Sequence, residues 1–338
     1  MITGPGECAV VDVAPPTAGP GDVVVDVERA GVCGTDAEFF SGEMAYLHQG
    51  HARFPIRIGH EWCGTVSALG AGVDPGWAGR RVTGDTMLGC GRCYRCLAGR
   101  PHVCEDRYEI GVRGGWPGAL AEQLPVPVTA LHALPDTVDA VAGALVEPGG
   151  NALRSFQAAC LAPGDRLLVL GPGTIGLLVA QFALAAGVEV HVLGKSAASL
   201  AFARTLGVHG AWKAGLLPRL SFGAVIDCSD AAALPALALD LVEPGGRVVY
   251  VGLASRPSLI DTRAMALKDV TAVGILGGSA GLAGAIGQFA SGSVDPRPLV
   301  CATVGLDQVG DVLAGRRPDG AGHGPKIHVD PRQRRKDP

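Results

Sequence analysis

Apolar and polar positions follow two different patterns along this chain. Up to about residue 150 the apolar residues fall in short runs, and Asp22 to Val27 (DVVVDV) has the alternation of a half-buried strand. Glycine and proline interrupt this stretch every few residues, so it predicts short strands and turns. From about Asn151 the pattern changes. Arg166 to Leu170 predicts a strand entered from a Pro-Gly-Asp turn, Gly171 to Gly176 a glycine-rich loop, and the Ala/Leu-rich stretch after it a helix ending near Gly187. Val188 to Leu193, Ala224 to Asp227 and Arg247 to Val251 predict further strands, and Ser199 to Leu206 a helix. Strands alternating with helices imply βαβ units and a parallel sheet. The last fifty residues predict one helix, about Leu282 to Ser291, then a proline-bearing link and a basic end, PRQRRKDP, expected to fray. No internal repeat is visible.

Composition narrows the function classes. A chain of 338 residues implies roughly two domains. Charge is nearly balanced, 28 Lys and Arg against 32 Asp and Glu, which argues against a nucleic-acid partner. No apolar run reaches the ~18 residues of a membrane helix, and MITGPGECAV lacks the charged and apolar regions of a secretory signal, so the expectation is a cytoplasmic protein. Of the ten cysteines, the four that fall within fifteen residues then read as metal ligands rather than part of a disulfide framework.

Cys90-x2-Cys93-x2-Cys96-x7-Cys104 is the strongest local signal. Four thiolates so spaced wrap one tetrahedral Zn²⁺ and leave no open coordination site, which makes that zinc structural. An iron–sulfur cluster or chance thiols are the alternatives, and the spacing lacks the usual cluster pattern. Elsewhere Cys33, His60 with Glu61, and Glu147 together offer thiolate, imidazole and carboxylate, a donor set suited to a second zinc that keeps one position open. Taken singly, each also fits an ordinary buried or turn residue.

Gly171-Pro172-Gly173-Thr174-Ile175-Gly176 matches G-x-G-x-x-G between a strand and a helix, the context that makes it a dinucleotide-binding loop. The next strand ends in Gly194-Lys195-Ser196, without the acidic residue that usually holds the ribose 2′-hydroxyl of NAD. Lys195 and the Ser196 hydroxyl suit a 2′-phosphate, so NADP is preferred and NAD remains possible.

The segments GVCGTD, GHEWCGTV, GCGRCYRCLAGRPHVC, LVEPGG, LVLGPGTIG and EPGGRVVYVG resemble, in order, the zinc-dependent medium-chain alcohol dehydrogenases, in the threonine, sorbitol and glucose dehydrogenase branch. The resemblance covers nearly the whole chain. It implies an α/β protein, a GroES-like β-rich catalytic domain (1–148 and 284–338) plus a Rossmann doubly wound parallel sheet (149–283). It implies that Cys33, His60 and Glu147 hold a catalytic zinc, with Glu61 binding it directly or through water and Asp36 orienting it. It gives Thr35 the task of passing on the substrate proton. Cys228, Gly252 and Leu253, after two later strands, join Gly171, Gly173, Thr174, Ile175, Gly176, Gly194, Lys195 and Ser196 as expected cofactor contacts. The expected activity interconverts a secondary alcohol and a ketone on a polyol, sugar or cyclitol. A threonine-like amino alcohol is the alternative substrate. A non-catalytic nucleotide-binding relative keeping only the structural zinc, or a zinc-free reductase on the same fold, is the alternative function. A homodimer or homotetramer is expected, with an edge strand at or near Arg247–Val251 covered by pairing.

Three features depart from that family. Glu38 stands where a relay histidine is common, so the proton relay is expected to run through Glu38 or straight to water. Residues 44–54 are an insertion expected to shape the substrate mouth, with His48 and His51 on its surface loop or reaching the pocket. The chain starts abruptly before the Gly4-Pro5-Gly6 turn, so a strand found there in relatives is expected to be missing or to lie upstream.

Overall fold

The computed structural model describes residues 1–254 and 256–333. The end of the basic tail, 334–338, lies outside them.

Strands β1 (Ile2–Gly4) and β2 (Glu7–Cys8) form a hairpin around the Pro5-Gly6 turn, so a short strand does precede that turn. The N-terminal lobe is built on β3 (Asp22–Gly31), β4 (Glu61–Leu69), β5 (Arg81–Gly84), β8 (Gln123–Pro127) and β9 (Leu131–Ala133), with a small ribbon of β6 (Met87–Leu88) and β7 (Tyr108–Glu109) beside them. The second lobe holds β10 (Arg166–Leu170), β11 (Glu189–Leu193), β12 (Gly210–Trp212), β13 (Phe222–Asp227), β14 (Val242–Tyr250) and β15 (Thr271–Gly274). The chain then returns to the first sheet as β16 (Val300–Val304) and β17 (Lys326–Val329).

The second sheet is parallel throughout, in the order β12-β11-β10-β13-β14-β15. Leu167, Leu168, Val169 and Leu170 of its central β10 are all fully buried, as expected where helices cover both faces. Arg247–Tyr250 lie inside this sheet, between β13 and β15. The exposed edge is β15, whose Thr271, Ala272 and Gly274 face solvent.

The first sheet runs β16-β17-β3-β4-β5-β9, with β8 also pairing β3. Its register aligns three residues across neighbouring strands: His328 of β17 opposite Gly31 of β3, and Gly31 opposite Glu61 of β4. Strands β16 and β17 and the Val309–Leu313 helix lie in the region where the pattern had predicted only a link and a tail. Two helices, Val146–Ala159 and Leu282–Ala290, run across the expected lobe boundaries and pack on each other where Gly149 leaves room for the Phe289 ring. No helix among the described residues is long and apolar enough to cross a membrane.

Candidate metal centre and cofactor cleft

The four-cysteine loop closes on itself. The Cys90, Cys93, Cys96 and Cys104 sulfurs all lie within 4.8 Å of one another, and Cys93 Sγ is 3.8 Å from Cys104 Sγ. A tetrahedron of Zn–S bonds of ~2.3 Å has edges of about 3.8 Å, so the cage fits zinc. Backbone N–H groups of Arg92 and Cys93 draw the Cys90 thiol down to about 6, while burial pushes Cys96 up to about 12. Four sulfurs so gathered suit a single cation. Gly89 has no alternative here, because a Cβ would sit 2.6 Å from Cys96 Sγ.

The second donor group gathers where β3 leads into the Gly34–Ser41 helix and β4 begins. Cys33 is the N-cap of that helix, and Asp36 in its first turn accepts a hydrogen bond from the Cys33 backbone at 2.9 Å. Asp36 also accepts from the Gly59 backbone at 3.2 Å and lies 3.7 Å from His60 Nδ1. It thus spans the strand end and the His60 turn, and leaves the other ring nitrogen of His60 free to bind a metal. Donor atoms of Cys33, His60 and Glu61 all lie within 4.8 Å of one another. Glu147 stands outside this tight group but close enough for its charge to act on His60. Asn151, one helical turn further on, donates to Glu147 Oε1 at 2.9 Å and to the Glu147 carbonyl at 3.2 Å.

The charges at this centre call for a cation. Burial alone would lower the pKa of His60, yet Asp36, Cys33 and Glu147 lift it well above its usual value. Burial raises the Glu147 carboxyl to about 7, with His60 pulling it down and Glu61 pushing it up. A buried imidazole ringed by thiol and carboxyl groups is a site that a divalent ion would neutralise, and its donor types suit zinc.

Lys326 was not visible as a site residue in the sequence. It reaches from β17 and donates to both Glu61 oxygens, at 2.7 and 2.6 Å, and to the Val32 carbonyl at 2.9 Å. Lys326 and Glu61 are almost wholly inaccessible to solvent. Gly31 makes this possible, since a Cβ there would overlap Glu61 Oε2 at 2.0 Å.

Thr35 is half-buried in the first turn of the Gly34–Ser41 helix, and its hydroxyl makes no hydrogen bond among the described residues. Glu38, one turn on, is raised by burial, then by Asp230 of the second lobe and by Glu43. The structure keeps His48 and His51 on the surface. His48 Nε2 contacts the Gly42 carbonyl at 3.1 Å, and His51 packs edge-on against Tyr46 with ring centres 5.6 Å apart. Tyr46 in turn donates to Glu109 and accepts from Arg107, both at 3.1 Å, anchoring the 44–54 insertion on the segment after the four-cysteine loop.

In the second lobe the glycine-rich loop joins β10 to the Thr174–Ala185 helix. Gly173 is its N-cap and no side chain caps it, so the first-turn N–H groups stay open to an anion. Gly176 lies so close to Gly171 that a Cβ would come within 2.0 Å of the Gly171 carbonyl oxygen. Cys228, Gly252 and Leu253 follow β13 and β14 at the same carboxyl end of the sheet, where such folds bind ligands. Burial pushes the Cys228 thiol up, so it stays protonated and unreactive. Gly194 abuts Pro172 of the glycine-rich loop, and its backbone donates to the Trp212 carbonyl at 3.0 Å. Lys195 is exposed, and Ser196 caps the Ala197–Thr205 helix by accepting from Ser199. The register of β11 on β12 pairs Leu193 with Trp212, so the exposed Lys213 emerges beside this turn as a second cation.

Comparison with known proteins agrees with this geometry. Residues 19–136 match the alcohol dehydrogenase GroES-like domain, and residues 174–291 match the zinc-binding dehydrogenase domain. An L-threonine 3-dehydrogenase of Mesorhizobium japonicum is 31% identical over 277 residues, covering 79% of each chain. A 2-dehydro-3-deoxy-L-galactonate 5-dehydrogenase of Pseudoalteromonas atlantica is 31% identical over 326 residues, covering 92% of each. The crystal structure of a zinc-binding dehydrogenase of Sinorhizobium meliloti 1021 bound to NADP superposes with a TM-score of 0.86 at 29% identity, over 96% of both chains.

Proposed function

Because this chain belongs to the zinc-dependent medium-chain alcohol dehydrogenases, we propose that it interconverts a secondary alcohol and a ketone on a polyol, sugar or cyclitol-type substrate, with NADP(H) preferred over NAD(H). The observation that carries the reading is the grouping of Cys33, His60 and Glu61 with Glu147 behind them, set apart from a closed four-cysteine cage. The first would hold a catalytic zinc and the second a structural one. When bound, the catalytic zinc supplies a Lewis acid that acidifies the substrate hydroxyl, and the nicotinamide supplies the hydride acceptor.

The chain's own residues do the rest. Asp36 sets its charge 3.7 Å from His60 Nδ1, while Lys326 holds Glu61 at the edge of the donor group. The open Thr35 hydroxyl receives the substrate proton, and Glu38, raised above the ordinary carboxylate range, stands on the same helix to take it onward. The open helix terminus after Gly173 would hold the pyrophosphate, and the exposed Lys195, Lys213 and Ser196 would hold a ribose 2′-phosphate. The proposed division into lobes near 148/149 and 283/284 passes through the two helices, Val146–Ala159 and Leu282–Ala290, that join them. Subunits pair through the exposed edge of β15 into a homodimer or homotetramer. The cytoplasmic assignment rests on the reading of the clustered thiols as zinc ligands.

One observation favours a threonine-like amino alcohol as a second reading: Asp230 and Glu43 lie near enough to add to the burial that raises Glu38, and a group of carboxylates suits an ammonium group. A panel of polyols, sugars, cyclitols and amino alcohols, followed by nicotinamide absorbance with NADP and NAD in parallel, separates the two. Turnover confined to amino alcohols would replace the polyol assignment. Silence across the panel in protein carrying one zinc per chain would replace both with the non-catalytic reading.

Lys195→Ala is expected to lower the NADP-to-NAD ratio of kcat/KM about tenfold, the loss of one charge-assisted contact to phosphate. An unchanged ratio would remove Lys195 from the cofactor site.

A further inference from the structure

One arginine joins three parts of the molecule that are far apart in sequence. Arg154 lies on the Val146–Ala159 helix, two turns beyond Glu147. It donates to the Leu276 carbonyl at 2.7 Å and to the Gly277 carbonyl, and its other terminal nitrogen lies 3.4 Å from His102 Nε2. Arginine has no acceptor, so His102 accepts this bond through Nε2 and carries its proton on Nδ1. His102 sits in the Pro101–Val103 turn, inside the four-cysteine loop, and is buried.

The segment gripped by Arg154 leaves β15 at the carboxyl end of the parallel sheet, the end that binds dinucleotide. Its Ile275 backbone is bonded to the Tyr250 carbonyl of β14 at 2.9 Å. Gly278 lies directly on the Val146–Ala159 helix, where a Cβ would come within 2.8 Å of the Glu147 carbonyl, and Gly277 lies against Met87 of the first lobe. Two residues on, Ser279 donates to the buried Asp85 at 2.9 Å. Thus 275–279 is the seam where the cofactor end of the sheet, the helix bearing Glu147 and the first lobe meet. The four-cysteine loop reaches that seam through His102.

We propose that His102 and Arg154 form a strut by which the four-cysteine loop holds Ile275–Gly278, and with it one wall of the cofactor cleft, in the binding position. The loop then serves the reaction as well as the stability of its lobe. Both are positioning residues. Arg154 fixes two carbonyls, and His102 fixes Arg154. Asp85 lies near enough for its charge to act on Arg154, and the imidazole is the side-chain acceptor beside the two carbonyls that the guanidinium holds.

The inference rests on nicotinamide dinucleotide binding at this cleft, and the test separates the two. NADPH and NADH binding is measured by fluorescence on the zinc-loaded protein, with zinc counted per chain and hydrogen exchange followed at 275–278. His102→Ala is expected to weaken binding of both dinucleotides about threefold to tenfold, the loss of one hydrogen bond to a charged group. Zinc stays at the parent's count, and amide exchange at 275–278 speeds up. The KM for cofactor rises more than kcat falls. His102→Gln, which keeps an acceptor near Nε2, restores binding to within about twofold, and Arg154→Ala combined with His102→Ala is no worse than Arg154→Ala alone. Should His102→Ala fail to fold, Arg154→Lys, unable to span the three acceptors, carries the same expectation. Unchanged binding, independent multiplication of the two effects, or zinc loss in His102→Ala would each overturn the strut. Failure of the parent protein to bind either dinucleotide would overturn the functional reading instead.

Discussion

Replacing Lys326 with methionine is expected to destabilise the protein by about 3–5 kcal/mol, although Lys326 lies on a strand near the end of the chain. Lys326 and Glu61 are both buried, and Lys326 Nζ spends all three of its protons on Glu61 and the Val32 carbonyl. Burial alone would lower the Lys326 pKa, but Glu61 and then Cys33 raise it, so the ammonium is held charged. Methionine keeps the volume but strands the Glu61 carboxylate among backbone and sulfur, and the cost is that of an unpaired buried charge. Thermal unfolding of Lys326→Met, Glu61→Gln and the double variant tests this. The double variant should recover a large part of the loss, because it removes the uncompensated charge together with its partner. Arg297→Ala serves as contrast, because its ion pairs with Asp295 and Asp139 are half exposed and contribute about 0–1 kcal/mol. A Lys326→Met protein as stable as the Arg297→Ala protein would sink the account of the buried pair.

His60→Ala should lower kcat/KM by at least about 10³-fold and drop zinc from two per chain to one. The imidazole is the central member of the donor group, with Cys33 and Glu61 close by and Asp36 set against its far nitrogen. Losing the Lewis acid forfeits several kcal/mol of transition-state stabilisation, and about 4 kcal/mol corresponds to that factor. The remaining zinc should stay in the four-cysteine cage, and dinucleotide binding should change little, because the glycine-rich loop lies on the other lobe. Elemental analysis, steady-state rates and NADPH binding on one preparation separate these effects. A variant that kept two zincs and a tenth of the parent rate would remove His60 from the catalytic centre.

Much of this site is legible in sequence because its signals are local. The four cysteines lie within fifteen residues, so their spacing alone specifies a cage. The glycine-rich loop needs only a strand before it and a helix after it, and both announce themselves by period. Asn151 was findable too, since it stands four residues after Glu147 on one face of a helix. Lys326 and His328 were not. Strand β17 points its charged and titratable residues inward, the reverse of the pattern that marks a half-buried strand, so a four-residue run of Lys-Ile-His-Val gave no signal. The edge strand could be placed only to within a neighbour for a related reason. Strand β15 is short and its residues are mostly exposed, and periodicity cannot tell which strand of a parallel sheet lies outermost.

By itself, then, the sequence determined the family, the two-lobed α/β plan, the zinc cage and the dinucleotide loop, because each depends on residues close together in the chain. The tertiary structure alone decided which distant groups meet: Lys326 with Glu61, and Arg154 with His102 and the 275–279 seam. Those pairings span up to 265 residues, and the Lys326–Glu61 pair depends on strand register, which is set by packing the whole sheet rather than by any local run.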